Sequence, residues 1–147
     1  MVDQPVPDAS KVLIYATRND LLLVFDEPDF PDVELQVPGG TIEPGEDILA
    51  AARREFAEET GIDCDTPFAL LATDDYRVVR NERQICHRRF YFHVKPAGEL
   101  PETWIHSEMT PFSGGPPIRF RFFWMRIEDA AQKLGYGMEQ HLAMIST

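Results

Sequence analysis

Residues 40–62 read GTIEPGEDILAAARREFAEETGI, and no other stretch constrains the fold so tightly. Asp47 is a favoured helix N-cap, Ile48 to Thr60 contains neither Pro nor Gly, and Gly61 is the kind of residue on which helices end. The spacing predicts a helix of about three and a half turns. At about 100° per residue, Leu49, Ala52 and Phe56 fall on an apolar stripe, while Glu55, Glu58 and Glu59 share another arc. Ala51, one turn before Glu55, lies on that arc and leaves room for another piece of backbone to approach.

Carboxylates three and four residues apart repel one another on a helix surface. A hard divalent cation turns that repulsion into a site, and carboxylate oxygens with water and substrate phosphates suit Mg²⁺. Arg54 flanks Glu58 and can orient it. Pro38-Gly39-Gly40 and Pro44-Gly45 punctuate a turn before the helix, where bare backbone can come close to an ion or a phosphate. The whole pattern resembles the signature of the Nudix hydrolase family: Gly40, five residues, Glu46, seven residues, Arg54-Glu55, apolar Phe56, any residue, Glu58-Glu59, any residue, Gly61 and apolar Ile62. Phe56 is bulkier than the aliphatic residue usual at its place.

The resemblance implies an α/β/α sandwich around a mixed β-sheet, extending over nearly the whole chain. It implies a metal-dependent pyrophosphohydrolase that uses Mg²⁺ or Mn²⁺ to cleave a diphosphate linkage in a nucleoside diphosphate derivative. By that resemblance Glu55, Glu58 and Glu59 are metal ligands, the Gly40 carbonyl is a further one, and Glu46 and Arg54 hold loop and helix in register. Glu58 is the first choice of general base within the motif. Outside it Glu108 ranks above Glu102, Glu99 and Glu82, and the neighbouring His106 is a candidate phosphate contact.

At 147 residues the chain has the size of one domain, with 44% apolar and 27% charged residues, as in soluble globular proteins. A net charge of −11 speaks against a nucleic-acid polymer as partner, because such binding relies on a basic surface. No apolar run has the length of a membrane span, so no membrane partner is expected. Without a recognisable export signal the expected compartment is the cytoplasm, with Cys64 and Cys86 as free thiols. Monomer and homodimer are equally compatible with the sequence.

Along the rest of the chain, residues 11–16 and 21–25 read as a hairpin, and residues 33–37 as a strand leading into the Pro-Gly-Gly turn. Residues 67–73 and 76–79 read as one strand or two with a bend at Asp74-Asp75. Residues 88–94 and 118–125 alternate as half-buried strands. Residues 95–117, rich in Pro and Gly, read as a long connection, and residues 127–134 and 138–145 as two short helices. The strand faces carrying Arg77, Arg89, Tyr91, Arg119 and Arg121 are candidate substrate-binding surfaces, with Trp104, Tyr76 and Phe112 as candidate base-stacking rings. Two other functions share the fold: a nucleotide sensor without hydrolysis, and a diphosphate isomerase that would need Cys64 or Cys86 as acid-base.

Overall fold

The computed structural model describes residues 6–108 and 115–145. β1 (Ala9–Arg18) and β2 (Leu21–Asp26) form the expected hairpin, with Asn19 taking the left-handed turn position at φ 57°. β3 (Gly39–Thr41) precedes α1 (Ile48–Thr60), and β4 (Phe68–Arg80), β5 (Arg83–Val94), β6 (Thr103–Glu108), β7 (Ile118–Arg126) and α2 (Ile127–Lys133) follow. The strands join in the order β4-β5-β1-β2-β7-β6, with β3 beside β1. β1 and β5 run parallel and the other pairs antiparallel, so the sheet is mixed.

Successive residues of β1 alternate between two cores. Val12, Ile14 and Ala16 pack with Phe92, Val94 and Phe122 beneath Ala52 and Phe56 of α1. Leu13 and Tyr15 pack with Leu22, Val24 and Tyr91 against Ala130 of α2 and the following Leu134, Met138 and Leu142. The expected α/β/α sandwich is the architecture observed. Each fully buried Leu, Val, Ile or Phe contributes about 1.5–3 kcal/mol. Among the described residues no helix is long and apolar enough to cross a membrane.

One irregularity of the sheet positions the site. β1 pairs with β2 only at Thr17–Leu22 and Arg18–Leu21, whereas its earlier residues pair with β3 from Lys11–Thr41 to Leu13–Gly39. The two halves of the sheet therefore part beside β1, and a cavity of about 410 Å³ opens there, lined from both halves by Lys11, Leu13, Phe25 and Phe120.

Several local expectations need correction. Residues 33–37 make only isolated bridges at Leu35 and Gln36, and the glycines themselves form the strand. β4 is one continuous strand whose register slips between Leu70 and Ala72, while Asp74 and Asp75 stay in register opposite Arg89 and Arg88. The connection at 95–117 contains β6, because Trp104 alternates inward onto Phe122 between the outward Thr103 and Ile105. Phe112 lies outside the described residues. Residues 138–145 fold as turns ending in a short 3-10 segment, Leu142–Met144. On α1 the buried residues are Ala51, Ala52, Phe56 and Thr60, and Leu49 is exposed at the first turn.

Candidate active site

The frame of the site is α1 with its two caps. Asp47 accepts from the Ala50 N–H at 3.0 Å, and Gly61, at φ 79°, donates to the Ala57 carbonyl at 2.9 Å. Buried Ala51 lets β3 lie against the helix. At Gly40 the approach is so close that a Cβ would sit 1.9 Å from Glu55 Oε2, and at Gly39 one would sit 2.3 Å from the Val12 carbonyl oxygen. Only glycine fits between β1 and the carboxylates of α1.

Arg54 binds the loop to the helix. Its guanidinium donates to Glu46 at 2.7 and 2.8 Å, to Glu55 at 2.7 Å, to Glu58 at 3.1 Å and to the Thr41 carbonyl at 3.2 Å. The Arg54 hydrogen bonds, backed by one from the Glu43 N–H, draw Glu46 down to about 2. Glu55 behaves oppositely, because burial raises its pKa more than Arg54 lowers it.

Glu59 accepts from the Gly39 N–H at 3.1 Å. It keeps an edge on the cavity, yet protein encloses it, and desolvation pushes its pKa well above the carboxylate range despite that hydrogen bond. Burial also raises Glu108, at the end of β6, and Glu27. One end of the cavity is thus crowded with carboxyls that ionise reluctantly when nothing positive is bound.

The wall along β4 and β5 is basic, carrying Lys11, Arg80, His87 and Arg89 with the rings of Tyr76 and Tyr136. Lys11 stands between the two regions: its ammonium donates to Thr41 Oγ1 at 2.6 Å, and Glu55 and Glu59 oppose the loss of charge that burial favours. Arg89 is 5% exposed; it lies 3.8 Å over the Tyr76 ring and donates to the Tyr136 carbonyl at 2.6 Å.

A family model described as the NUDIX domain matches residues 6–144. The chain belongs to the Nudix family. Over 67 residues this Nudix domain is 37% identical to the 8-oxo-dGDP phosphatase NUDT18 of Homo sapiens and of Mus musculus, a match covering 46% of this chain and 18% of each relative. The matched stretch of the chain thus spans less than a fifth of the length of these curated relatives. In fold it is similar to the MutT protein from Bacillus halodurans, at 19% identity and a TM-score of 0.65 over 92% of this chain and 80% of that one. It is likewise similar to a C. elegans Ap4A hydrolase binary complex, at 17% identity and a TM-score of 0.60 over 92% and 93% of the two chains.

The oxygen donors of this Nudix domain suit a hard divalent cation: Glu59 is enclosed with no salt-bridge partner among the described residues, and Gly40, by lacking a Cβ, leaves room for the Glu55 carboxylate. Among the described residues no three His, Cys, Asp or Glu side chains yet converge on one point as a metal cage. Arg54 holds Glu55 and the exposed Glu58, and the Gly39 amide holds Glu59.

Of the residues read from sequence, Gly40, Glu59, Arg89, Glu108 and Tyr76 line the cavity, and Glu55 abuts Gly40. Tyr91 does not; it is fully buried between Tyr15 and His141. Trp104 stacks on Phe122 at 5.2 Å and donates its indole N–H to the Thr60 carbonyl at 2.8 Å, so it secures α1 to the sheet. Arg77 pairs with Asp75 away from the cavity, and Arg119 and Arg121 make exposed bidentate pairs with Asp29 and Asp26. His106 donates to the Glu58 carbonyl at 2.9 Å and packs on Gly61, closing the end of the helix. Glu102 pairs with Arg18, Glu82 sits in the β4–β5 turn, and neither these nor Glu99 line the cavity. Neither cysteine lines it either.

Lys11, Arg80, His87 and Tyr136 were not identified as site residues from sequence. The alternation of His87 and Arg89 on one face of β5 was a usable signal. Lys11 joins them only through the parallel register that sets it beside Arg89.

Proposed function

We propose that this Nudix domain is a metal-dependent pyrophosphohydrolase that cleaves a diphosphate linkage in a nucleoside diphosphate derivative by attack of water at phosphorus. The observation that carries this reading is the cavity itself, with desolvated carboxyls and a bare glycine edge at one end and a basic, aromatic wall beside them. The activities that name the relatives, an 8-oxo-dGDP phosphatase and an Ap4A hydrolase, favour a nucleotide substrate. We further propose that one domain carries the whole site, since α1, the sheet and the cavity all lie within the family match.

In this reading Glu55, Glu58, Glu59 and the Gly40 carbonyl hold Mg²⁺ or Mn²⁺. A bound cation supplies Lewis-acid stabilisation of the charge that accumulates on phosphoryl oxygens. Lys11 balances the same charge from the β1 side. Glu108 takes the proton of the attacking water, and its burial-raised pKa brings it nearer to working pH. The water oxygen bonds to phosphorus, the bond to the bridging oxygen breaks, and the departing phosphate keeps the electron pair. Arg54 is a positioning residue that orients Glu55 and Glu58.

The test is a hydrolysis screen over nucleoside triphosphates, dinucleoside polyphosphates, nucleotide sugars and ADP-ribose with Mg²⁺ or Mn²⁺. Turnover that disappears in Glu58→Gln and Glu59→Gln, with the fold intact, is expected. Turnover of equal rate in both variants would sink the assignment, and tight nucleotide binding without turnover under either metal would make the chain a sensor.

A further inference from the structure

Most arginines of this protein are already satisfied. Apart from Arg53, which lies over the Phe68 ring, and the two in the cavity wall, every arginine among the described residues has a carboxylate partner. Arg80 and Arg89 have none, nor has Lys11, in a chain whose net charge is −11. Burying a guanidinium costs free energy unless an anion or a dense set of acceptors replaces water. Arg89 is nearly buried with one short hydrogen bond, to the Tyr136 carbonyl, and a long one of 3.5 Å to the Tyr91 hydroxyl. Its plane is fixed on the Tyr76 ring. The arginine is held rigid while its charge goes unneutralised.

The neighbouring basic groups are fixed by strand register. Lys11 is the β1 partner of Arg89, about 4.8 Å away across the sheet, and His87 lies two residues along β5, about 6.7 Å off on the same face. His87 stands opposite Tyr76 of β4, and Arg80 lies further along that strand. Burial and the positive charges of Lys11, Arg80 and Arg89 all lower the pKa of His87, so the wall has a surplus of positive charge. A cation bound at Glu55 and Glu59 would not relieve that surplus. It would neutralise the carboxyls that now offset Lys11.

We propose that Arg80, His87 and Arg89 form a subsite for a third phosphoryl group, so that the substrate carries a phosphate beyond the two joined by the scissile bond. The inference rests on the hydrolase reading for the place of that bond, but the subsite exists independently of turnover. It separates nucleoside triphosphates and dinucleoside polyphosphates from ADP-ribose, nucleotide sugars and nucleoside diphosphates, which have two phosphates. Arg89 supplies a pre-oriented planar donor set, His87 a ring N–H and Arg80 a charge at the exposed rim.

The experiment compares binding of methylene-bridged analogues of ATP and ADP to the full chain with Mg²⁺, by calorimetry. The wild type is expected to bind the triphosphate analogue at least about tenfold more tightly, as one charge-assisted contact provides. Arg89→Gln and Arg80→Gln should each reduce that preference severalfold; the exposed Arg80 keeps the test open if the buried replacement does not fold. Arg88→Gln, whose guanidinium pairs with Asp75 outside the cavity, should leave it unchanged. Equal affinity for the two analogues, or a preference that survives Arg80→Gln and Arg89→Gln, overturns the subsite. A preference that holds while no substrate in the screen is turned over leaves the subsite standing and removes the hydrolase. Turnover of two-phosphate and three-phosphate substrates with equal kcat/KM does the reverse.

Discussion

Arg54 and Glu46 meet through two parallel hydrogen bonds, Nε to Oε2 at 2.7 Å and Nη2 to Oε1 at 2.8 Å. This pair fastens the loop after β3 to the second turn of α1, leaving the remaining guanidinium nitrogen to hold Glu55 and Glu58. Because Glu46 ionises at about 2 in the folded chain, against 4.5 for an ordinary glutamate, it contributes stability that is present above the ordinary carboxylate range. That contribution is lost as pH falls through about 2. Glu46→Gln is therefore expected to unfold at lower temperature at neutral pH and to lose less of its stability than the wild type between pH 4.5 and 2. Thermal melts across that range check it.

Glu59 carries the opposite sign. Its folded pKa is raised, so its contribution to stability is full below the ordinary carboxylate range and is lost as pH rises through the raised value. In metal-free protein at neutral pH, Glu59→Gln should raise stability by about 1–2 kcal/mol, since the amide keeps an acceptor for the Gly39 N–H without a desolvated charge. Added Mg²⁺ should raise the melting temperature of the wild type and not that of the variant. Chemical denaturation with and without the cation reads both effects.

Gly40→Ala is expected to lower kcat about tenfold to a hundredfold, because the new Cβ would lie 1.9 Å from Glu55 Oε2 and must displace that carboxylate. Steady-state kinetics on the best substrate of the screen, with circular dichroism to establish folding, checks it.

Trp104→Phe should cost about 1–2 kcal/mol in urea unfolding by removing the hydrogen bond to the Thr60 carbonyl. KM should stay as in the wild type, because this ring stacks on Phe122 and faces no part of the cavity. A raised KM would return Trp104 to the substrate.

The helix and its caps were legible because they depend on neighbours in sequence: Asp47 reaches Ala50, Gly61 reaches Ala57, and Arg54 reaches the carboxylates beside it. The close approach of bare backbone at Gly40 was legible from the glycines ahead of an acidic helix, although these glycines form a strand and not a turn. The basic wall was only half legible. Arg89 showed its strand face, but its partners come from Lys11 and Tyr136, which alternation within one strand cannot locate. Arg119 and Arg121 show the converse: alternation sets them on one strand face, but it cannot locate their partners, Asp29 in the loop after β2 and Asp26 at the end of β2, directly opposite Arg121 across the sheet. The prolines and glycines that flank β6 hide it, and no local pattern in the sequence marks the ring of Phe122 beneath Trp104, so only the structure separates a packing indole from a ligand contact.

The most direct test of the account is hydrolysis of the preferred nucleotide by the wild type in ¹⁸O-labelled water, with and without a chelator. Water attack at phosphorus predicts one labelled oxygen in a phosphate product and loss of turnover when the divalent cation is removed. A product without label, or turnover that persists in chelator, would contradict it.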